Sequence, residues 1–335
     1  MTTYKGLRGL TIQTVAGDPS VLAVGDIWYD SVARKIQGAG LSTAAWASGG
    51  NLNTGRQGLG GGGTQTAAIA YAGSTGPAYS VLAETYDGSS WTEVADLNTA
   101  RYLGASIGQT QTATGFVGGY DAGGVAEEVE FWNGTAWTEV ADINTAREGW
   151  VGGAGTTSAG LVTNGGTPAT GGETEIWNGT SWTEVADLNV GRQYGSTAGE
   201  TSTAAISVGG YGSGPLPPAT RLTLTEIWDG SSWTEVADLN AGRNLASMSG
   251  SSTSAVFVGG VITSGAAPSA LTETWDGTSW TEVADLPAAK DSMGGTSQSG
   301  TSAAVFGSWA PGGAGTVVTA EFTGAVATAV TFTSS

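Results

Sequence analysis

The sequence predicts an all-β fold: six four-stranded antiparallel blades closed into a β-propeller, with a short N-terminal β extension. Three observations predict it. A string of the form Thr-Glu-Ile-Trp-Asp-Gly-Ser-Ser-Trp-Thr-Glu-Val-Ala-Asp-Leu-Asn recurs with its second tryptophan at Trp91, Trp137, Trp182, Trp233 and Trp280, spaced by 45 to 51 residues. A period of that size marks stacked supersecondary units, none of which can bury its faces alone. Two complementary half-units flank the five whole ones: Trp46 with Asn51–Arg56 copies the end of the unit, and Thr319-Ala320-Glu321-Phe322 copies its start. That split suits a ring whose termini share one blade and so remove the open sheet edges.

Each period reads as four strands. Strand a follows the basic residue and is rich in small side chains, as in Gly104-Ala105-Ser106 and Gly195-Ser196-Thr197, which suits crowding around an axis. Strand b is an apolar run ending in glycines, as in Thr114–Gly119, Ala204–Gly210 and Ser254–Gly260. Strand c carries a Glu and an aromatic: Glu84–Tyr86, Glu130–Trp132, Glu175–Trp177, Glu226–Trp228 and Glu273–Trp275. An Asp-Gly or Asn-Gly pair follows and supplies the positive φ of a tight hairpin. Strand d opens on the second tryptophan. The acidic residues Glu84, Glu130, Glu175, Glu226, Glu273 and Glu321, and the basic residues Arg56, Arg101, Arg147, Arg192, Arg243 and Lys290, each count six blades. The expected boundaries are 1–40 for an anchor hairpin, 41–325 for the propeller closed by a strand at 41–48, and 326–335 for a tail.

Glycine supplies 57 of 335 residues and charged residues only 12%. The glycines fall at fixed places in the unit, so the chain is not a disordered low-complexity tract. There is no Cys and no His, which removes disulfides, thiolate chemistry and the commonest metal ligand. No metal and no cofactor is expected. A net charge of −18 disfavours nucleic acid and anionic membranes as partners, although most acidic residues lie inside the repeated strings. Met1–Gln13 has no apolar run of signal-peptide type, and no stretch approaches a membrane span, so no membrane insertion is expected.

The double glycines Gly118-Gly119, Gly165-Gly166, Gly209-Gly210 and Gly259-Gly260, the strand-c aromatics and the tryptophans opening strand d resemble the motif of kelch-repeat propellers. The resemblance covers about residues 41–325 and departs from the motif at Ala72-Gly73 and Gly307-Ser308. In such propellers the b–c and d–a loops share one face, where partners commonly bind. Upstream, Gly25-Asp26-Ile27-Trp28-Tyr29-Asp30 reads as a strand and Lys35-Ile36-Gln37 as its return. This segment resembles a β module of bacteriophage tail and fibre proteins, and the near-identical repeats are similar to kelch-like proteins of marine phages. The resemblance implies a virion location and an anchor at residues 1–40 that contacts other virion proteins.

The repeated Glu84, Glu130, Glu175, Glu226 and Glu273, with Arg101, Arg147, Arg192 and Arg243, read as structural ion pairs between blades, beside the interblade Trp91, Trp137, Trp182, Trp233 and Trp280. Catalytic sites usually break symmetry, so no catalytic residue is assigned, and the chain is expected not to be an enzyme. Glu127, Glu128, Glu148, Glu200 and Asp291 break the pattern and are the carboxylates to inspect for an asymmetric cluster in the central channel. The Asp-Gly-Ser-Ser-Trp strings differ by one residue from the Asp-box of sialidases. The varied b–c loops carry Tyr79, Tyr120, Asp121, Tyr211, Arg221 and Trp309, a mixture of aromatic and polar groups suited to a cell-surface glycan or a protein. A non-enzymatic interaction module is therefore the expected function, with homo-oligomerisation left open. An intracellular kelch-type scaffold and a sugar-acting propeller enzyme are the alternatives.

Overall fold

Five hairpin-connected units repeat along the chain because each Asx-Gly turn folds strand d directly back on strand c. In the turn at Asp87, the carboxylate Oδ1 accepts the backbone N–H of Ser89 and Ser90, both at 2.8 Å. The turns at Asn133, Asn178, Asp229 and Asp276 use the same atom in the same way. The strand-c aromatic then sits opposite the strand-d tryptophan, with ring centroids 4.9–5.6 Å apart in the pairs Tyr86–Trp91, Trp132–Trp137, Trp177–Trp182, Trp228–Trp233 and Trp275–Trp280. A tight turn thus places two large apolar groups side by side, where they can bury together.

The computed structural model describes residues 13–331, apart from 21, 24–25, 77, 166–170, 213–220 and 263–266. The contacts divide the chain into two units: residues 45–323, and residues 1–44 together with 324–335. Among the described residues the larger unit holds six four-stranded antiparallel sheets and one two-stranded sheet, Arg192–Gln193 with Tyr211–Gly212. In a–b–c–d order, blade 1 is Gly60–Thr64, Ala67–Tyr71, Ala83–Tyr86 and Trp91–Glu93. Blade 2 is Ala105–Thr110, Ala113–Asp121, Gly124–Trp132 and Trp137–Val140. Blade 3 is Gly152–Thr156, Ala159–Thr163, Glu175–Trp177 and Trp182–Glu184. Blade 4 is Ser196–Thr201, Ala204–Val208, Thr225–Trp228 and Trp233–Glu235. Blade 5 is Ser247–Ser251, Ser254–Val258, Thr272–Trp275 and Trp280–Glu282. Blade 6 joins Gly294–Gly295, Ser302–Phe306 and Thr319–Thr323 to Ala45–Ser48, so the chain's start supplies its strand d.

The innermost strands run side by side in blade order, and that of blade 6 returns to that of blade 1. Their approach explains the small residues: a Cβ on Gly153 would stand 2.1 Å from the Ser106 carbonyl oxygen of the neighbouring blade. Gly58, Leu103, Tyr194, Leu245 and Ser292, each two residues after the basic residue, all have φ of 57–60°. Their backbones form a circuit. Gly58 N–H donates to Ser292, Ser292 to Leu245, Leu245 to Tyr194, Tyr194 to Gly149, Val151 to Leu103 and Leu103 to Gly58, at 2.6–3.3 Å.

The glycine pair after strand b ties each blade to the next linker. Gly73, Gly119, Gly210 and Gly260 donate to the carbonyls of Arg101, Arg147, Arg243 and Lys290 at 2.7–2.9 Å. Gly209 is required there twice over: its φ is +63°, and a Cβ would come within 2.5 Å of the Arg243 carbonyl. Blade 3 corrects the sequence alignment. Its left-handed pair is Asn164-Gly165, not Gly165-Gly166, and Gly166 lies outside the described residues. Asn tolerates the left-handed region, and its side chain donates to Thr197 and Ser207 of blade 4.

The smaller unit is one sheet, in the order Gln13–Val15, Ile27–Asp30, Lys35–Leu41 and Ala327–Thr331. Asp30 closes its hairpin by accepting Gly17, Val32 and Ala33 N–H and the Gln37 amide, and these bonds hold its carboxyl below the ordinary range. Residues 327–331 pair with 37–41, so that part of the expected separate tail at 326–335 is a strand of this sheet, and 332–335 lie outside the described residues. Residues 1–12 lie outside the description.

Strand-d indoles are the interblade donors. Trp91, Trp233 and Trp280 donate from Nε1 to Thr319, Thr174 and Thr225, at or immediately before the start of strand c of the preceding blade, at 3.0–3.1 Å. Trp46 does the same with Thr272 at 3.3 Å, and Trp182 reaches the Ala141 carbonyl. Trp137 Nε1 is buried without a partner among the described residues, because Ala83 stands where four other blades carry Thr. Ala83→Thr is expected to raise the unfolding free energy by about 1 kcal/mol, the net worth of one hydrogen bond, read as an upward shift in thermal midpoint.

Candidate functional site

The repeated charges resolve into a clamp on each linker. Arg56, Arg101, Arg147 and Arg243 pair with Glu84, Glu130, Glu175 and Glu273 at 2.6–3.0 Å, and Arg192 pairs with Glu226; all ten side chains are at most 2% exposed. Each Arg lies on the linker entering a blade, and its Glu lies on strand c of that same blade. The expected pairing across adjacent blades is therefore a pairing of linker to blade. The other guanidinium amino group donates to backbone carbonyls, such as Ala72 and Leu82 for Arg56. The carboxylate also accepts the N–H of an Asn three residues before the Arg, at Asn53, Asn98, Asn144, Asn189 and Asn240. Burial pulls the guanidinium of Arg243 down to about 10 against the opposing charge of Glu273, which leaves it protonated at neutral pH. The carboxylates and the terminal guanidinium nitrogens are engaged by protein partners and shut away from solvent, so they present no surface to a ligand.

Blade 6 has lost the clamp. The strand register places Ala320 opposite Val305 and Ser48, the place held in blade 1 by Glu84 opposite Ala70 and Glu93. Glu321, counted from the sequence as the sixth acidic residue, is one step out of register and instead accepts the Tyr86 hydroxyl of blade 1 at 2.6 Å. Lys290 stands for Arg and Pro287 for Asn. Without the carboxylate, the Asn N–H would have no acceptor, and Pro has none to satisfy. A cavity of about 80 Å³, lined by Leu286, Pro287, Lys290, Val305, Val318 and Ala320, marks the vacated place.

The varied loops assemble an aromatic cluster. Tyr79 stacks on Tyr102, centroids 4.7 Å apart and planes at 13°, and Tyr120 meets both edge-on at 6.0 Å. Burial pushes the Tyr102 hydroxyl up, with smaller contributions from Tyr79 and Glu148. Burial likewise pushes up Tyr194, which also feels Glu148 and Tyr211. Glu148 is itself raised by burial. Tyr79, Tyr102, Tyr120, Glu148, Tyr194 and Tyr211 thus form a chain of neighbours across blades 1 to 4.

The remaining candidates fall elsewhere. Asp121 spends its carboxylate on the N–H groups of Gly123 and Gly124, in the turn of its own hairpin. Arg221 bridges to Tyr211, and Trp309, 37% exposed, bridges to Gly315 on blade 6. Parts of the varied loops, at 166–170, 213–220 and 263–266, lie outside the description. Of the pattern-breaking carboxylates, Glu127 and Glu200 are exposed, and Asp291, on blade 6, is raised by burial. Sequence reasoning missed Tyr102 and Tyr194. A signal was available for Tyr102: the residue after each basic residue, namely Gln57, Tyr102, Glu148, Gln193, Asn244 and Asp291, varies among the blades, whereas Tyr194 lies one position further on, in the left-handed turn.

Arg147→Met strands a buried carboxylate on Glu175 and is expected to cost about 3–5 kcal/mol in denaturant unfolding. In blade 6, Ala320→Glu alone should lower the thermal midpoint. Pro287→Asn, Lys290→Arg and Ala320→Glu together rebuild the clamp and fill the cavity, and should raise the midpoint above that of the single variant and of the unaltered chain.

No family model and no curated protein matches this chain. Solved structures do match. That of YjhT superposes with a TM-score of 0.67 at 13% identity, covering 83% of this chain and 99% of YjhT. At that identity the likeness speaks for the fold: an all-β, propeller-type ring of antiparallel sheets.

Proposed function

We propose that this protein is a non-enzymatic interaction module of the kelch type whose working surface is the b–c and d–a loop face. The observation that carries the reading is the division of labour between side chains. The recurring charges are consumed by the linker clamps, whereas the residues that differ from blade to blade converge as tyrosines around Tyr102. Stacked and edge-on tyrosines present rigid amphipathic surface, which suits a glycan or a protein partner. On this reading the protein is a component of a phage particle, held by the smaller unit through other virion proteins. The Ile27–Asp30 strand and its Lys35–Leu41 return fit the tail-protein module that the sequence resembles.

Binding to host cells or to a glycan array tests the face. The double variant Tyr79→Ala, Tyr102→Ala is expected to lose binding by at least about tenfold while keeping its thermal midpoint. Undiminished binding would overturn the assignment. Hydrolysis of glycosides that falls in Glu148→Gln would instead favour a sugar-acting enzyme, since Glu148 is the partly buried acid beside the tyrosines.

A further inference from the structure

The cavity of blade 6 lies at the place that the other five blades fill with a carboxylate. In blade 1 that carboxylate belongs to Glu84, opposite Ala70; in blade 6 Ala320 stands opposite Val305 at the same step of the register. The exchange of Glu for Ala removes one methylene and one carboxylate, which is the skeleton of acetate. The cavity measures about 80 Å³, room for a solute of a few non-hydrogen atoms.

The donors that answer the carboxylate elsewhere are partly retained. Lys290 stands where the other blades carry Arg, is half-buried, and lines the cavity. Among the described residues its ammonium has no ion-pair or hydrogen-bond partner. The carboxyl of Asp291, next in the chain, is raised by burial, against smaller opposing effects of Ser292 and of the Lys290 charge. A second donor is backbone. In blades 2, 3 and 4 the residue two before the Arg, namely Thr99, Thr145 or Val190, donates its N–H to the Glu carboxylate at 3.2–3.4 Å. Ala288 holds that position in blade 6 and lines the cavity, and its N–H meets no acceptor among the described residues. Leu286, Val305, Val318 and Ala320 make the rest of the wall apolar. Pro287 and Ala288 are exposed and Val318 is 40% exposed, so the cavity reaches solvent along the linker.

We propose that this cavity binds a short-chain monocarboxylate of the size of acetate or propionate. The Lys290 ammonium and the Ala288 N–H take its carboxylate, and its alkyl end lies against Leu286, Val305 and Ala320. The anion thereby plays the part that the Glu side chain plays in the other blades. Charge selects the class: an ammonium on an apolar wall is costly to dehydrate unless an anion meets it, and a charge-assisted hydrogen bond is stronger than one to a neutral amide. A ligand held between the linker and strands b and c of this blade also stabilises the ring where the two ends of the larger unit join. The inference uses none of the residues of the tyrosine face and stands whether or not that face binds a partner.

Calorimetry and thermal unfolding of the full chain test it, with sodium acetate and sodium propionate set against sodium chloride at equal ionic strength and against acetamide. Saturable binding and an upward shift of the thermal midpoint are expected with the carboxylates alone. Lys290→Met should weaken binding about tenfold or more, as the loss of one hydrogen bond from a charged donor requires. The variant carrying Pro287→Asn, Lys290→Arg and Ala320→Glu supplies its own carboxylate, keeps the fold, and should not bind. An absence of saturable binding with both carboxylates, equal affinity for acetamide, or undiminished affinity in Lys290→Met or in the triple variant overturns the inference.

Discussion

A guanidinium shut away from water needs a carboxylate and backbone carbonyls to answer its terminal amino groups, and five linkers of this chain are arranged around that demand. The Arg cannot reach its carboxylate and the blade's backbone carbonyl groups unless the linker enters the blade at one height and angle, so pairing the charge also positions the chain. The companion Asn uses the second oxygen of the same carboxylate, which pins the linker at two points three residues apart. The two residues after each Arg then begin the left-handed turn whose backbone hydrogen bonds encircle the axis. Clamp, turn and circuit are successive consequences of one buried charge, and the tryptophan that opens strand d seals the seam to the preceding blade.

The sixth blade is the exception that clarifies the rule. Its strands come from the two ends of the larger unit, and it has exchanged Glu, Asn and Arg for Ala, Pro and Lys together. Loss of one member alone would strand the others in the interior; loss of all three leaves an apolar cavity, which is the cheaper defect. The blade that joins the chain's ends is thus held by strand pairing, by the Trp46 indole and by Tyr86–Glu321 across to blade 1.

Where the repeat is relaxed, side chains are free to differ, and the differences are confined in space. The position after each basic residue lies on a turn whose backbone is already committed, so its side chain is less constrained by the repeat. Tyr102 occupies that position in blade 2 and Glu148 in blade 3. Tyr79 and Tyr120 come from the b–c loops of blades 1 and 2 and meet Tyr102 because neighbouring blades bring these loops together.

The sequence by itself determined the all-β class, the period, the tight Asx-Gly hairpins, the paired aromatics and the sharing of one blade between two distant segments. These follow from local rules, turn chemistry and side-chain periodicity, which act over a few residues and recur five times. Only the tertiary structure decided the register of blade 6, where a one-residue slip moves Glu321 out of the clamp and Ala320 into it. It likewise decided that Asn164 rather than a glycine begins the pair in blade 3, and that Ala327–Thr331 is a strand of the smaller sheet. Each depends on which backbone groups face each other across strands far apart in the chain. The candidate sites divide in the same way. Tyr79, Tyr120 and Tyr211 were legible as loop aromatics, but their grouping with Tyr102, Tyr194 and Glu148 arises from ring closure, which no local pattern encodes.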